Sequence, residues 1–151
     1  MSNDGNHSAC LMCAMEDADE TARVFGDSLW AAEIVPGYEV PGWFILRARR
    51  HAELITGLDG AELAGFARRA RDLVAAVTEA TGAPATYLLA FGENYRHFHT
   101  LVTARGADVP ADRRGGDILR LRAERRDPEA AARLLPAVRE AYLRLAGTEV
   151  G

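Results

Sequence analysis

Residues 92–105 read Gly-Glu-Asn-Tyr-Arg-His-Phe-His-Thr-Leu-Val-Thr-Ala-Arg, which predicts a tight turn followed by a β-strand from Arg96 to Ala104. Because side chains alternate between the two faces of a strand, His97, His99 and Leu101 are expected on one face of the sheet. Two imidazoles about 7 Å apart along one strand can serve a single site. The alternative is a pair of surface histidines without a chemical role.

The sequence on either side of this stretch predicts further strands, one long helix and a terminal helix. Asp59 and Glu62 have the spacing of a capping box, at the start of a helix that Gly82 is expected to end. The last helix is predicted from Pro128 to Leu145, with a kink or break at Pro136. Further strand signals cover residues 23–25, 29–35, 43–46 and 87–91. This arrangement predicts an α+β domain with an antiparallel sheet.

The length of 151 residues and the hydrophobic fraction of 48% favour one domain with a core of its own, over residues 10–146. Residues 1–9 are polar and small and are expected to be disordered, and residues 147–151 are expected to form a tail. No stretch approaches the roughly 20 apolar residues that span a bilayer, and the first residues lack the features of a secretory signal. We therefore expect a cytoplasmic protein that does not interact with membranes.

The charged residues are unusual in one respect, because all 18 basic residues are arginine and the sequence contains no lysine. Catalysis through a lysine amine and a lysine-bearing phosphate loop are therefore excluded. The formal net charge of −4 argues against a specific nucleic-acid partner, which normally meets a basic surface. A bound phosphate would have to be neutralised by arginine, by backbone amides or by a helix end.

The two cysteines, Cys10 and Cys13, lie three positions apart, and a disulfide between them would close too small a loop to stabilise the fold. Two thiolates at this spacing can bind one tetrahedral metal ion, but the ion needs two further ligands, which only histidines can supply here. The alternatives are a pair of unliganded thiols and a redox pair of the thioredoxin type. The redox pair is disfavoured because no βαβ unit surrounds the cysteines.

Several short motifs follow one another in a characteristic order. Cys10-Leu-Met-Cys13 precedes Val24-Phe-Gly-Asp27, which precedes Pro41-Gly-Trp-Phe-Ile-Leu-Arg-Ala-Arg-Arg-His51. Leu58-Asp-Gly-Ala-Glu-Leu then opens the long helix, and the stretch from Gly92 to Arg105 comes last. In this order and spacing the chain resembles, over residues 10–105, the histidine triad (HIT) superfamily of nucleotidyl hydrolases and transferases.

The resemblance implies a mechanism in which His99, the middle position of the motif His-φ-His-φ-His-φ-φ, attacks the α-phosphorus of a nucleotide. A covalent nucleotidyl-histidine would form and then pass its nucleotidyl group to water or to another acceptor. The resemblance also implies that a nucleotide or nucleoside phosphate contacts Asp27, Gly92, Glu93 and Asn94. The alternative for Asp27 is the role of a turn former.

The resemblance also implies a metal site and an assembly. In zinc-bearing relatives the positions that match Cys10, Cys13, His51 and His97 hold the ion, and four protein ligands are typical of a structural zinc. Such a zinc would orient the neighbouring His99, whereas His51 taken alone would be interpreted as a histidine at the end of a strand. The implied architecture is a five-stranded antiparallel sheet with one long helix and a C-terminal helix. The implied assembly is a homodimer that pairs two such sheets.

The third position of the motif is Leu101 in place of histidine, and leucine cannot donate a hydrogen bond. Loss of one preorganised donor can cost on the order of 10²-fold in rate. The leading prediction is therefore an enzyme that acts through His99, and the alternative is a nucleotide- or ligand-binding protein whose turnover is reduced. A third hypothesis is an interaction module that is stabilised by zinc and has no nucleotide site.

Overall fold

The computed structural model describes residues 9–147, and its centre is one five-stranded sheet. The strands are β1 (Arg23–Gly26), β2 (Trp30–Glu33), β3 (Trp43–Ala48), β4 (Ala85–Leu89) and β5 (His99–Arg105). They lie in the order β1-β2-β3-β5-β4 with every neighbouring pair antiparallel. The predicted α+β fold with a five-stranded antiparallel sheet is confirmed.

Within residues 9–147, four α-helices accompany the sheet: α1 (Leu11–Ala14), α2 (Gly60–Thr81), α3 (Arg122–Arg125) and α4 (Pro128–Gly147). The predicted capping box is present at the start of α2, where the Asp59 and Glu62 side chains each accept from the other's backbone N–H. Gly82 ends this helix in the left-handed conformation with φ 66°, which glycine adopts without steric cost. The predicted break at Pro136 is wrong, because α4 continues through this residue.

One face of the sheet forms the main hydrophobic core with α2 and α4. Phe44, Leu46 and Val102 project from the central strands toward Leu73 of α2 and Val138 of α4, and all five side chains are buried. Burial of each large apolar side chain contributes roughly 1.5–3 kcal/mol. The helices therefore fix the sheet from one side and leave its opposite face for other contacts.

The opposite face is covered at its two ends by segments without long helices. The N-terminal segment, residues 10–22, packs through Met12 and Met15 against Val35 and Ile45. At the other end, the segment from 106 to 121 packs against Trp43 and its neighbours in a second cluster. A cleft lies between the two covered ends, over β3 and β5.

The start of β5 differs from the sequence-based prediction. Regular pairing of β5 with β3 begins at His99. Phe98 instead accepts from the Ala48 backbone N–H at the end of β3 and donates to the Ala52 carbonyl just beyond that strand. His97 therefore lies beside the end of β3 rather than within the regular strand. His99 and Leu101 do share one face of the sheet, directly opposite Arg47 and Ile45 of β3.

The disordered stretch predicted over residues 1–9 lies outside the described residues except for Ala9. The predicted C-terminal tail lies outside them beyond Gly147. Among residues 9–147, no helix has both the length and the apolar character needed to cross a membrane.

Candidate active site and metal centre

Four potential metal ligands converge at one end of the cleft. Their ligand atoms, one each from Cys10, Cys13, His51 and His97, all lie within 4.8 Å of one another. The Nδ1 atom of His97 is 3.4 Å from the Cys10 Sγ and 3.5 Å from the Cys13 Sγ, and His51 Nδ1 is 3.2 Å from the Cys13 Sγ. The structure thus brings together all four residues that the sequence suggested as metal ligands.

The local structure explains why these four residues meet. Cys10 caps α1, and its Sγ accepts a hydrogen bond from the Cys13 backbone N–H at 3.4 Å, so one helical turn places both sulfurs on the same side. His51 follows the end of β3 and His97 precedes β5. Since β3 and β5 are antiparallel neighbours, the end of one meets the beginning of the other.

The hydrogen bonds of His97 fix which of its nitrogens faces the sulfurs. Its Nε2 donates to the Ala48 carbonyl oxygen at 2.6 Å, which leaves the Nδ1 lone pair directed at the thiols. The side chain is fully buried, and burial lowers the pKa of His97 to about 4. The imidazole is therefore neutral at pH 7, as a metal ligand requires.

The geometry and chemistry of the cluster fit a tetrahedral ion. Ligand bonds of 2.0–2.3 Å place neighbouring ligand atoms of a tetrahedral zinc about 3.5 Å apart, and the sulfur–nitrogen distances of 3.2–3.5 Å match this value. Burial, together with the hydrogen bond that the Cys13 thiol donates to Cys10, raises the pKa of Cys13 to about 11. A bound cation would favour the thiolate, because a coordinating thiol is deprotonated.

His99 lies next to this cluster and lines the cleft, which has a volume of about 480 Å³. Its Nδ1 donates to the His97 carbonyl oxygen at 2.7 Å. A carbonyl oxygen can only accept, so Nδ1 carries a proton, and in the neutral tautomer Nε2 is the nitrogen with the lone pair. A neutral imidazole held in this way can act as a nucleophile toward a ligand in the cleft.

Three of the four predicted substrate contacts, Gly92, Glu93 and Asn94, line the cleft together with His99. Gly92 has a φ of 70°, which favours glycine at the turn that aims these residues inward. Asp27 is not among the residues that line this cleft. Its carboxylate accepts hydrogen bonds in the β1–β2 turn and from Arg69 at 2.6 Å, as the turn-former alternative requires.

Leu101 lines the cleft beside His99 and packs against the cluster that contains Met12, Val35 and Ile45. This part of the wall is therefore apolar, and it offers no donor at the third position of the motif.

Two cleft residues, Tyr38 and Tyr95, are absent from the sequence-based prediction. Their hydroxyl oxygens are 3.1 Å apart, and the Tyr95 ring meets the His99 ring edge-to-face at 6.3 Å between centroids. The guanidinium of Arg122 lies 4.3 Å from the centre of the Tyr38 ring. No motif could have identified the pair, because 57 positions separate the two tyrosines.

A buried network of charges beside the metal ligands was also missed. Glu33 accepts from Arg23 Nε at 3.2 Å and from Arg47 Nε at 2.7 Å, and all three side chains are at most 3% exposed. Glu16 of the N-terminal segment bonds to Arg47 at 2.5 Å and to Arg49 at 3.0 Å. Burial opposes the ionisation of Glu16, yet the hydrogen bonds from Arg47 and Arg49 lower the pKa of this carboxyl below its usual value.

No protein-family model and no curated protein matches the sequence significantly. Solved structures do resemble it. A hypothetical histidine triad nucleotide-binding protein from Sulfolobus tokodaii has a TM-score of 0.70 and 18% identity, over 90% of this chain and 93% of its own. A zinc-bound histidine triad family protein from Mycobacterium smegmatis has a TM-score of 0.67 and 21% identity, over 95% of this chain and 100% of its own.

A uridylyltransferase has a TM-score of 0.64 and 19% identity, over 93% of this chain but only 47% of its own length. At these identities the likeness concerns the fold. With the five-stranded antiparallel sheet, the helices on one of its faces and these neighbours, the chain has the histidine triad fold.

Proposed function

We propose that this chain is a histidine triad enzyme that binds a nucleotide or nucleoside phosphate and transfers its nucleotidyl group through His99. The observation that carries the proposal is the position of His99, which lines the cleft while its Nδ1 donates to the His97 carbonyl at 2.7 Å, so that the neutral ring has its lone pair on Nε2. The cleft beside it, at about 480 Å³, lies in the size range of small-molecule sites.

In the proposed reaction, Nε2 of His99 attacks the α-phosphorus and forms a nitrogen–phosphorus bond. The bond from phosphorus to the leaving group breaks, and the leaving group departs with the electron pair and takes up a proton from water. The positive charge on the nucleotidylated ring is stabilised by the His97 carbonyl, which accepts from Nδ1–H. Water then attacks the phosphorus and loses a proton, the electron pair returns to Nε2, and a nucleoside monophosphate leaves.

We further propose that Cys10, Cys13, His51 and His97 hold a zinc ion. Two thiolates and two imidazoles form a closed tetrahedral set, so the ion would supply structural stability rather than a site for water. It would join α1 to the end of β3 and to the beginning of β5. It would also hold His97, whose carbonyl positions His99. Cysteines that bind a metal rather than form a disulfide are typical of proteins in reducing compartments, which agrees with the expected cytoplasmic location.

The test of the covalent mechanism uses adenosine phosphoramidate that carries radiolabelled phosphorus. Wild-type protein should retain label after an alkaline detergent quench, which spares the acid-labile nitrogen–phosphorus bond. His99→Ala should retain none, because the only proposed nucleophile is gone. His7→Ala is the matched control and should label normally, since His7 belongs to neither proposed site. Equal labelling of wild type and His99→Ala would overturn the mechanism.

A second candidate function is nucleotide binding with little or no turnover. The specific observation in its favour is Leu101, which leaves the cleft wall beside His99 without a donor at that position. Binding of nucleotide by the wild type, with neither label nor product, would favour this second function over the first.

A further inference from the structure

Tyr38 and Tyr95 meet in the cleft and line it together with His99 and Leu101. Tyr38 comes from the connection between β2 and β3 and Tyr95 from the connection between β4 and β5. Their rings are perpendicular, 6.4 Å apart at the centroids, and their hydroxyl oxygens lie 3.1 Å apart. Both residues line the cleft that contains His99.

Few other side chains of the cleft could donate a hydrogen bond to a phosphoryl oxygen near His99. Glu93 is acidic and repels a phosphate, and Leu101 has no polar atom. Asn94 makes no side-chain hydrogen bond to any residue of the 9–147 stretch, so nothing there fixes its amide. Tyr95 is the hydroxyl that is both anchored, by Tyr38, and in ring contact with the imidazole of His99.

We propose that the Tyr95 hydroxyl donates the hydrogen bond to the substrate phosphoryl group that the third position of the motif, Leu101, cannot supply. This inference rests on the proposed function, since it assumes a phosphoryl group at Nε2 of His99. A phosphoryl group bonded to that nitrogen would share the cleft with Tyr95, whose ring centroid lies 6.3 Å from that of the imidazole. Tyr95 would thus contribute to the electrostatic stabilisation of the charge that develops on the phosphoryl oxygens.

The protonation of the pair suits this role. A tyrosine hydroxyl is protonated at neutral pH, and either hydroxyl of the pair can be the donor in the hydrogen bond that joins them. When Tyr38 donates to Tyr95, the Tyr95 hydroxyl keeps its own hydrogen for a ligand. Arg122, stacked 4.3 Å from the centre of the Tyr38 ring, holds that ring in place through a cation–π contact.

The test separates phosphate recognition from packing. Affinities of the zinc-loaded, full-length protein for AMP and adenosine, and for UMP and uridine, are measured by calorimetry. Tyr95→Phe should weaken the binding of the nucleotide roughly tenfold or more, because a hydrogen bond to a charged group is lost, while the affinity for the matching nucleoside stays within about twofold. Tyr38→Phe should give a smaller loss, because Tyr95 keeps its hydroxyl and loses only its anchor.

A second variant tests replacement of the missing donor. Leu101→Gln restores a hydrogen-bond donor at the third position of the motif, and in the Tyr95→Phe background it should recover most of the lost nucleotide affinity. Tyr87→Phe is the matched control, because the Tyr87 hydroxyl accepts from the Gly115 backbone N–H at 2.9 Å and Tyr87 is not among the residues that line the cleft. It should leave all four affinities unchanged.

Equal weakening of nucleotide and nucleoside in Tyr95→Phe would show that the hydroxyl acts on the nucleoside part of the ligand or on the shape of the cleft rather than on the phosphate, and it would overturn the inference. An unchanged nucleotide affinity in Tyr95→Phe would also overturn it, while leaving the proposed function intact. Failure of the wild type to bind either nucleotide would instead overturn the proposed function, and the role of Tyr95 with it.

Discussion

At the scale of single residues, His97 links the metal cluster to His99, since its ring faces the thiols and its carbonyl accepts from His99. We expect the purified wild type to contain about one zinc per chain. Loss of a residue that only hydrogen-bonds a metal ligand lowers metal affinity roughly 10- to 100-fold. Cys13→Ala removes a ligand itself and should therefore lower zinc affinity by more than that. Metal analysis and competition with a chromophoric chelator measure both quantities. His99→Ala is the control and should retain its zinc, and metal-free wild type with reduced thiols would contradict the assignment.

At the scale of elements, the N-terminal segment is held against the sheet by charges that are almost completely buried. Glu33→Gln removes the carboxylate between Arg23 and Arg47, whose side chains are 2% and 0% exposed. Because an uncompensated buried charge is costly, the free energy of unfolding should fall by about 3 kcal/mol or more in urea denaturation. Glu20→Gln is the control: Glu20 pairs with the same Arg23 but is 73% exposed, and its loss should cost less than about 1 kcal/mol. Equal effects would show that burial does not strengthen the network.

At the scale of the whole molecule, the two edges of the sheet differ. At the β1 edge, Arg139 donates to the Arg23 carbonyl at 2.9 Å and thereby occupies part of the edge. At the other edge, the described residues pair β4 with β5 alone, and Leu88 in β4 is 47% exposed. We propose that the chain forms a homodimer through the β4 edge, because open edges favour pairing with a second strand. Light scattering should give the mass of a dimer for the wild type and of a monomer for Leu88→Arg. Leu63→Arg, at a leucine of α2 that is 49% exposed, should remain dimeric. A monomeric wild type would refute the proposal.

Local sequence was sufficient for the features that depend on neighbouring residues. The capping box at Asp59 and Glu62 and the left-handed stop at Gly82 need contacts only within one turn of chain. The shared face of His99 and Leu101 follows from the alternation of any strand. The four metal ligands span a long stretch of sequence, and they were suggested by residue type and by family resemblance rather than by any local rule.

Other features could not be predicted because they depend on which distant segments meet. Nothing in the sequence around Glu16 indicates a partner, yet this residue forms ion pairs with Arg47 and Arg49. The prediction that His97 lies within the strand is wrong. His97 contacts Ala48 at the end of β3, where the regular hydrogen bonding between β3 and β5 has not yet begun. Periodicity cannot place such a boundary, because backbone pairing at the end of a strand is decided by the neighbouring chain.

The sequence by itself therefore determined the α+β class and the antiparallel strands, since those depend on local periodicity. Residue type and family resemblance suggested the residues that we propose to bind a metal or attack phosphorus. Only the tertiary structure decided that Tyr95 reaches His99 while anchored by Tyr38, and that Asp27 serves the β1–β2 turn instead of lining the cleft. The physical reason is that a hydrogen bond between side chains depends on distance in space, which the packing of the sheet sets and the separation along the chain does not.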